Sequence, residues 1–475
     1  MPIPFAARRA AVALCIFGCS LSALASDESI RVSVTKELAS PTLAHATVGV
    51  CIRSLSDGRT ILTKEADRLL MPASNMKLLV SSCCTDALPA DFHYTTPALR
   101  DGTLDGGTLT GNLYLKGDGD PTLEYADLQQ LARDVKAAGI THVTGDVVGD
   151  GSALDSRKLG SGWEWDDLSA YYAAEVDGLT VDRGSVTVRT LPGEVGQPPA
   201  VSVDPDAGYV LIRNEATTVQ DSAPETLEVS RELGENIIVA SGQIRRGNKT
   251  AVEYVSVHNP SAYTAFLFRK CLQDAGITID GSPRSGVTPA GATKVAAHDS
   301  AGLPDILKLL NKPSDNLIAE TLLKTLGRVK KGNGSAAAGA DVERAYLEKI
   351  GVDAASVNIV DGSGLARQDN VTADALTRVL SYMWSHPNRS AFVDSLPVAG
   401  VDGTIRNRMK GGFTTGNVQA KTGSLTRVSS LSGYVRTRDG EPLVFSIVMN
   451  NFTGGGSEAH AIQDRICAAM AASTK

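Results

Sequence analysis

The stretch Met71-Pro72-Ala73-Ser74-Asn75-Met76-Lys77-Leu78-Leu79-Val80 places a serine and a lysine three residues apart at the start of an apolar segment. The apolar residues continue to Leu88, so the pattern predicts a helix buried inside a domain. Residues three apart on a helix lie one turn apart on the same face, which lets the Lys77 amine reach the Ser74 hydroxyl. The sequence therefore predicts a serine nucleophile with an amine as its general base.

Two further motifs follow in order along the chain, Ser314-Asp315-Asn316 and Lys421-Thr422-Gly423. Pro313 favours a turn, and the residues after the second motif favour a helix, so this motif stands at a helix start. In the company of Lys77 and Lys421, Ser314 is interpreted as a proton relay to a leaving amine. Asn316 is interpreted as an amide that binds the substrate backbone.

The third motif, Lys421-Thr422-Gly423, occurs once and lies in an alternating run from Val418 to Leu425. That run and Leu431–Val435 are predicted as antiparallel strands. Lys421, Thr422 and Ser424 are placed to bind a terminal carboxylate, and Gly423 allows another backbone to approach the strand edge. The backbone N–H groups of Ser74 and Ser424 would form an oxyanion hole.

Chance matches to the first two motifs also occur. Ser33-Val34-Thr35-Lys36 repeats the serine–lysine spacing, but the residues from Glu37 to Pro41 favour a helix poorly. Ser356-Val357-Asn358 runs into apolar residues and is predicted as a strand edge. At Lys77, by contrast, a helix N-terminus, partial burial and a second cation are all expected to lower the lysine pKa toward that of a general base.

The long separation of Lys77 from Ser314 predicts a large insertion, because both residues must reach one site. We assign residues 26–91 and 291–475 to a catalytic α/β (α+β) domain, an antiparallel sheet flanked by helices. Short alternating runs predict that the insertion is β-rich, with one domain over residues 92–181 and 240–290 and a second nested over 182–239. The C-terminal part is predicted to hold two strands and helices over residues 303–310, 317–326, 337–350, 373–384 and 458–470.

The first 25 residues have the features of a secretory signal peptide. Arg8 and Arg9 precede an apolar stretch, and Ser22-Ala23-Leu24-Ala25 offers a small-residue cleavage site. We therefore predict export, with cleavage after Ala25. A lipoprotein site at Cys19 is the alternative, which Phe17 fits poorly. No later hydrophobic run has membrane-spanning length, so no transmembrane segment is predicted in the mature chain.

Composition excludes several functional classes. A net charge of -7 without a basic patch argues against nucleic-acid binding. The cysteines after Ala25 are scattered and odd in number, which argues against a disulfide framework and favours buried thiols. The seven histidines lack metal-ligand spacing. We therefore predict no metal and no cofactor.

Several segments besides the three motifs resemble one known family: Gly117-Asp118-Gly119-Asp120-Pro121-Thr122, Asp361-Gly362-Ser363-Gly364-Leu365 and Asp402-Gly403-Thr404. The chain resembles the D-alanyl-D-alanine carboxypeptidases and endopeptidases of the penicillin-binding protein 4 type, peptidase family S13, over nearly the whole mature length. The resemblance implies a penicillin-binding transpeptidase/β-lactamase-like domain with two inserted domains. It also implies a periplasmic serine enzyme that acts on peptidoglycan stem peptides and D-alanyl cross-links, and that β-lactams acylate.

Two other functions share part of this pattern. A class A β-lactamase has the same three motifs but needs a glutamate-held water, normally within an E-x-x-L-N segment, and neither Glu343 nor Glu348 stands in one. A non-catalytic sensor of β-lactams or muropeptides would not need efficient turnover, whereas Lys77, Ser314 and Lys421 are all present. A long-lived penicillin ester separates the carboxypeptidase from a β-lactamase, and the absence of any adduct would indicate a binding module.

Overall fold

The computed structural model describes residues 27–474. The predicted signal peptide over residues 1–25 and the alternative site at Cys19 lie outside the described residues. The chain forms two compact units. The first contains the residues up to Asp86, Leu307–Ser314 and the residues from Glu343 onward; the second contains Ala87–Ile306 and Asp315–Val342. The division of the insertion into residues 92–181 with 240–290 and residues 182–239 stays a prediction.

The helices and strands are numbered here in chain order. The helices in the described part are α1 (residues 27–38), α2 (Lys77–Ala87), α3 (Tyr125–Ala137), α4 (Pro260–Asp274), α5 (Leu303–Asn311), α6 (Asn316–Lys331), α7 (Ala336–Lys349), α8 (Ala373–Ser385), α9 (Arg389–Val393) and α10 (Gly456–Ala472). The strands are β1 (Thr47–Ser54), β2 (Thr60–Lys64), β3 (Thr95–Arg100), β4 (Thr103–Asp105), β5 (Thr108–Thr110), β6 (Leu113–Lys116), β7 (His142–Val143), β8 (Val147–Asp150), β9 (Ser185–Leu191), β10 (Ala200–Asp204), β11 (Leu211–Asn214), β12 (Thr217–Val219), β13 (Glu228–Arg231), β14 (Ile237–Ser241), β15 (Gln243–Arg245), β16 (Ala251–Ser256), β17 (Thr278–Ile279), β18 (Pro283–Ser285), β19 (Thr293–Asp299), β20 (Val357–Asn358), β21 (Asn370–Val371), β22 (Gln419–Leu425), β23 (Val428–Arg436) and β24 (Pro442–Asn450).

The first unit is built on a five-stranded antiparallel sheet with the order β2-β1-β24-β23-β22. Side chains alternate between the two faces of each strand. Val48, Val50 and Ile52 of β1 therefore lie in the core shared with α1 and α10, whereas Cys51 contacts Ala373 of α8 on the opposite face. Helices thus cover both faces of the sheet.

The second unit is β-rich, as the alternating runs predict. Its sheets have the orders β18-β8-β6-β3-β19, β17-β7-β5-β4, β10-β9-β16, β11-β14-β13 and β12-β15. Parallel and antiparallel pairs are mixed, since β6 pairs parallel with β8 and antiparallel with β3. Helices α3 and α4 pack against each other and contribute to the hydrophobic core of this unit. The predicted fold class, α/β with an antiparallel sheet flanked by helices, is confirmed.

The five helices predicted in the C-terminal part are confirmed as α5, α6, α7, α8 and α10. The prediction of two strands there is incomplete, because β24 (Pro442–Asn450) forms a third long strand. Eight of its nine residues are buried, as the inner strand of a sheet covered on both faces requires. Its sequence is consequently a near-continuous apolar run without the alternation that marks a half-exposed strand.

The prediction of a poor helix beside the chance match Ser33–Lys36 is wrong, because residues 27–38 form α1. Ile30, Val34 and Leu38 are buried in the core of the first unit. Apolar residues spaced four apart form one face of a helix. The prediction considered only the residues from Glu37 to Pro41. The apolar spacing begins before Ser33, so those residues did not reveal the helix.

All five cysteines in the described part are buried free thiols: Cys51, Cys83, Cys84, Cys271 and Cys467. Burial raises the pKa of Cys51, Cys84, Cys271 and Cys467 above the ordinary thiol value, to about 11 for Cys271. The prediction that most of them are buried as small apolar side chains is confirmed.

Between residues 27 and 474, no helix combines the length and the apolarity that crossing a bilayer demands. Among these same residues, no group of three or more His, Cys, Asp or Glu side chains is arranged to hold a metal ion.

Arg59 lies at the centre of an ion cluster in the first unit. Its guanidinium is 2.9 Å from Asp27 Oδ2, 2.7 Å from Glu441 Oε1 and 2.9 Å from Asp57 Oδ2. Hydrogen bonds to Asp27 and Glu441 raise the pKa of Arg59 above its ordinary value. The Asp27 and Glu441 side chains are only 4% and 2% exposed, so neither can exchange Arg59 for water. The cluster joins α1, the start of β2 and the start of β24.

We predict that Arg59→Ala lowers the free energy of unfolding by about 3 kcal/mol, because two buried carboxylates lose their cation. Urea denaturation of the mature protein measures this change. Arg68→Ala is the matched control, since Arg68 pairs with Glu65 at 3.2 Å while both side chains are about half exposed. That variant is expected to lose less than about 0.5 kcal/mol. Equal losses in the two variants would contradict the prediction.

Candidate active site

Ser74 lies in a short 3₁₀ turn, Ala73–Met76, that continues directly into α2 at Lys77. Lys77 Nζ is 3.1 Å from Ser74 Oγ, which is hydrogen-bonding distance. Lys77 is completely buried, whereas Ser74 is half-buried. The serine hydroxyl is thus accessible on one side and meets an amine on the other.

Buried hydroxyl groups of the sheet hold the Ser74 turn in place. Ser430 Oγ of β23 donates to Pro72 O at 2.6 Å. Asn75 Nδ2 donates to Ser432 Oγ at 2.8 Å, and Ser432 Oγ in turn donates to Ser446 Oγ of β24 at 2.9 Å. Buried polar groups are stable only when they are paired, so these serines fix the turn against the sheet instead of weakening the core.

Lys421 Nζ of β22 is 2.7 Å from Ser314 Oγ and donates to Thr422 O at 2.9 Å. The Lys421 side chain has no exposed surface. Burial, followed by repulsion from the Lys77 charge, lowers the pKa of Lys421 well below its ordinary value. Ser314 has a φ of +68°, a left-handed conformation that is uncommon for serine, in the turn that follows α5. A second amine and a second hydroxyl are therefore paired in the first unit.

The remaining residues of the second motif, Asp315 and Asn316, belong to the second unit. Asp315 Oδ1 accepts from Ile318 N at 2.9 Å and caps α6. Asn316 Nδ2 donates to Tyr172 O at 2.8 Å. The N-cap role that a serine before a helix commonly takes thus falls to Asp315, while the Ser314 hydroxyl lies beside Lys421.

The space beside Gly423 is filled by the chain itself. A Cβ atom at this position would lie 2.4 Å from Pro72 O and 2.9 Å from Ser74 N. Both distances are shorter than real Cβ contacts, so only glycine allows β22 to lie this close to the Ser74 turn. Gly423 therefore brings the third motif and the Ser74 segment together.

A cleft of about 350 Å³ opens over these groups. Its lining residues are Ser74, Ser314, Thr404, Arg408, Thr422, Gly423, Ser424 and His460. Thr404 and Thr422 approach each other at 2.8 Å between their Oγ1 atoms. The predicted carboxylate-binding residues Thr422 and Ser424 thus line the same cleft as the predicted nucleophile.

Arg408 and His460 also line the cleft, although no sequence motif indicates them. Arg408 Nη2 is 2.7 Å from Asp464 Oδ1, so an ion pair holds its guanidinium against α10. Burial, followed by the Arg408 charge, lowers the pKa of His460. No short motif surrounds either residue, so their place in the cleft follows only from the packing of α10 on the sheet. Thr404, by contrast, belongs to Asp402-Gly403-Thr404, one of the segments that carry the family resemblance in the sequence.

From the sequence alone, the glycine-rich segment Asp361–Leu365 could be an ordinary turn or could line the cleft. In the structure, Ser363 O accepts a hydrogen bond from Lys77 Nζ at 2.7 Å. Because this acceptor is a backbone carbonyl, the residue type at position 363 could not indicate the hydrogen bond with Lys77. The arrangement as a whole offers a hydroxyl beside one amine and a second amine beside another hydroxyl, a set suited to acyl transfer.

Comparison with known proteins agrees with this chemistry. The family model described as the D-Ala-D-Ala carboxypeptidase 3 (S13) family matches residues 30–473. A D-alanyl-D-alanine carboxypeptidase of Actinomadura sp. (strain R39) is 35% identical over 456 residues, which cover 93% of this chain and 84% of the relative.

Solved structures show the same similarity. The crystal structure of penicillin binding protein 4 (dacB) from Haemophilus influenzae matches with a TM-score of 0.82 and 27% identity, and the match covers 92% of this chain and 97% of that chain. A second structure of that protein, complexed with a β-lactam, matches with a TM-score of 0.76 and 26% identity over 91% and 97% of the two chains. The chain therefore belongs to the D-Ala-D-Ala carboxypeptidase 3 (S13) family of serine-type carboxypeptidases.

Proposed function

We propose that this carboxypeptidase cleaves D-Ala from peptidoglycan stem peptides through an ester on Ser74, with Lys77 as the general base. The observation that carries the proposal is the distance of 3.1 Å between Lys77 Nζ and Ser74 Oγ, at a lysine with no exposed surface. A buried amine loses its proton more readily than one in water, and a neutral amine can accept the proton of a neighbouring hydroxyl.

In acylation, Lys77 accepts the Ser74 proton while Ser74 Oγ attacks the carbonyl carbon of the penultimate D-Ala. The backbone N–H groups of Ser74 and Ser424 donate to the oxyanion that forms. When the peptide bond breaks, the Ser314 hydroxyl passes its proton to the departing D-Ala nitrogen and takes one from the protonated Lys77 amine, which becomes neutral again. Water then hydrolyses the ester, returning the Ser74 hydroxyl and releasing the shortened peptide.

Lys421 and Thr422 bind the terminal carboxylate, and Asn316 binds the substrate backbone. Lys77 and Lys421 repel each other, so the pair favours one proton over two. A substrate carboxylate beside Lys421 stabilises the ammonium there, because opposite charges favour the charged form. Binding of the correct substrate thereby leaves Lys77 neutral, which is the state that a base requires.

The proposal extends to the cell compartment and to related substrates. The signal peptide predicted over residues 1–25 would place the enzyme in the periplasm, where stem peptides lie. We also propose that β-lactams acylate Ser74, since the Haemophilus influenzae relative has been crystallised with one. Cleavage of D-alanyl cross-links, which the sequence resemblance implies, is tested by giving the same enzyme a cross-linked muropeptide dimer.

We predict that wild-type mature protein forms one stable adduct with benzylpenicillin, that Ser74→Ala forms none, and that Lys77→Ala is acylated at least about 100-fold more slowly. Intact-mass spectrometry over time measures all three. The matched control is Lys36→Ala, which removes the exposed lysine of the chance match and should react at the wild-type rate.

The outcomes separate the alternatives. Normal acylation of Lys77→Ala would contradict the base assignment. Rapid loss of the penicillin adduct from the wild-type protein would identify a β-lactamase, and the absence of any adduct would identify a binding module.

We predict that selectivity for a free carboxylate falls as the pH rises. Below its lowered pKa Lys421 is an ammonium, and as the pH rises through that pKa the charge is lost. The measurement is the ratio of kcat/KM for a peptide ending in D-Ala-D-Ala to kcat/KM for its C-terminal amide, from about pH 6 to about pH 10. Loss of a charge-assisted hydrogen bond is expected to lower this ratio about tenfold.

Both peptides in this comparison use the same nucleophile and base, so the pH dependence of Lys77 cancels in the ratio. A ratio that stays constant over the whole range would refute the role of Lys421 as the carboxylate-binding cation.

A further inference from the structure

A buried pair of carboxyl groups, Asp361 and Asp369, lies beside the Ser74–Lys77 pair and takes no part in the proposed reaction. Asp361 is 1% exposed and Asp369 is 0% exposed. Buried carboxyl groups are costly unless they are hydrogen-bonded or protonated, so a pair retained in a core needs a physical reason. Their partners provide one.

The Asp361 carboxylate folds the turn that follows it. Oδ1 accepts from Gly364 N at 2.6 Å, and Oδ2 accepts from Ala366 N at 2.8 Å. One side chain thus fixes two peptide groups on the far side of Ser363. The Ser363 carbonyl is held where it accepts from Lys77 Nζ at 2.7 Å.

The same turn also packs against the nucleophile. Gly364 has a φ of +79°, and a Cβ atom there would lie 1.9 Å from Ala73 O and 3.1 Å from Ser74 N. The turn therefore touches the peptide group that precedes Ser74 through Gly364 and touches Lys77 through Ser363 O. Both members of the nucleophile–base pair depend on one turn for their relative position.

Asp369 supports Asp361. Its Oδ1 accepts from Val360 N at 2.7 Å and from Asp361 N at 3.3 Å, so it fixes the backbone at the start of the turn. Two buried carboxylates in contact cannot both be ionised. Burial, followed by the Asp361 charge, raises the pKa of Asp369 well above its usual range. Asp369 therefore keeps its proton to a higher pH than an ordinary aspartate does.

We propose that Asp361 is a positioning residue for acylation, which folds the turn over residues 361–366 so that the Ser363 carbonyl orients the Lys77 amine toward Ser74. Asp369 supports it by accepting from the backbone N–H groups of Val360 and Asp361. The proposal rests on the role of Lys77 as the base. A neutral amine that donates one N–H to Ser363 O has its lone pair restricted in direction, and proton transfer depends on that alignment.

Two variants of the pair test this assignment. Asp361→Asn replaces one acceptor oxygen by an NH2 group that faces a backbone N–H, so the turn loses one of its two anchors. Asp369→Asn is the matched control, because its amide oxygen can still accept from Val360 N and Asp361 N. Saturation kinetics with benzylpenicillin give the limiting rate constant of ester formation and the half-saturating concentration separately.

For Asp361→Asn we expect the limiting rate constant to fall about 100-fold while the half-saturating concentration changes less than about threefold. A residue with a merely structural role would not separate these two quantities. For Asp369→Asn we expect both to stay within about threefold of wild type. Normal ester formation by Asp361→Asn, or an equal loss in Asp369→Asn, would overturn the proposal.

A third variant, Ser363→Ala, keeps the proposal testable even if Asp361→Asn does not fold. The proposal assigns the contact with Lys77 to the backbone carbonyl, so removal of the Ser363 hydroxyl should leave ester formation within about threefold of wild type. A loss near 100-fold would show that the side chain is responsible and would overturn the proposal. Lys77→Ala is measured in the same assay. If Lys77→Ala forms the ester at the wild-type rate, the base assignment fails. If Lys77→Ala is slow but Asp361→Asn reacts at the wild-type rate, only the role of Asp361 is refuted.

Discussion

Two lysine side chains without exposed surface, Lys77 and Lys421, impose the constraint on which the catalytic unit depends. Burying one ammonium group is costly, and burying two near each other adds repulsion to desolvation. Oxygen atoms within hydrogen-bonding distance of both amines offset this cost. Lys77 meets a hydroxyl and a carbonyl, and Lys421 meets a hydroxyl and a carbonyl as well. The groups that we propose to react are thus the same groups that stabilise the buried charge.

Supplying these oxygen atoms determines much of the local structure. Ala73, next to Ser74, and Ser314 both adopt a positive φ, which is unfavourable for residues other than glycine. Such conformations persist only where the surroundings enforce them. Here the Ser430 and Ser432 hydroxyls inside the sheet hold the Ser74 turn, and the bond to Lys421 holds the Ser314 hydroxyl. A sheet buried on both faces provides the rigid support that this requires.

The sequence contains the strongest signals where residue identity itself performs a role. The three motifs, the helices of the C-terminal part and the β-rich insertion were predictable because serine, lysine, glycine and apolar periodicity each leave a visible pattern. The Ser363 carbonyl was not predictable, because every residue has a carbonyl. Arg408 and His460 reach the cleft through helix packing over long sequence distances. Strand β24 was missed because burial on both faces removes the alternation by which a strand is recognised.

The five buried thiols have a consequence for the dynamics of the molecule. A thiol reacts as its thiolate and only where a reagent can reach it, and burial opposes both conditions. Cys83 and Cys84 lie on α2, the helix that carries Lys77, and Cys467 lies on α10 beneath the sheet. Alkylation of these sulfur atoms therefore requires transient opening of the core. The rate at which Cys83 and Cys84 of the native protein are labelled reports how often α2, the helix that carries Lys77, opens.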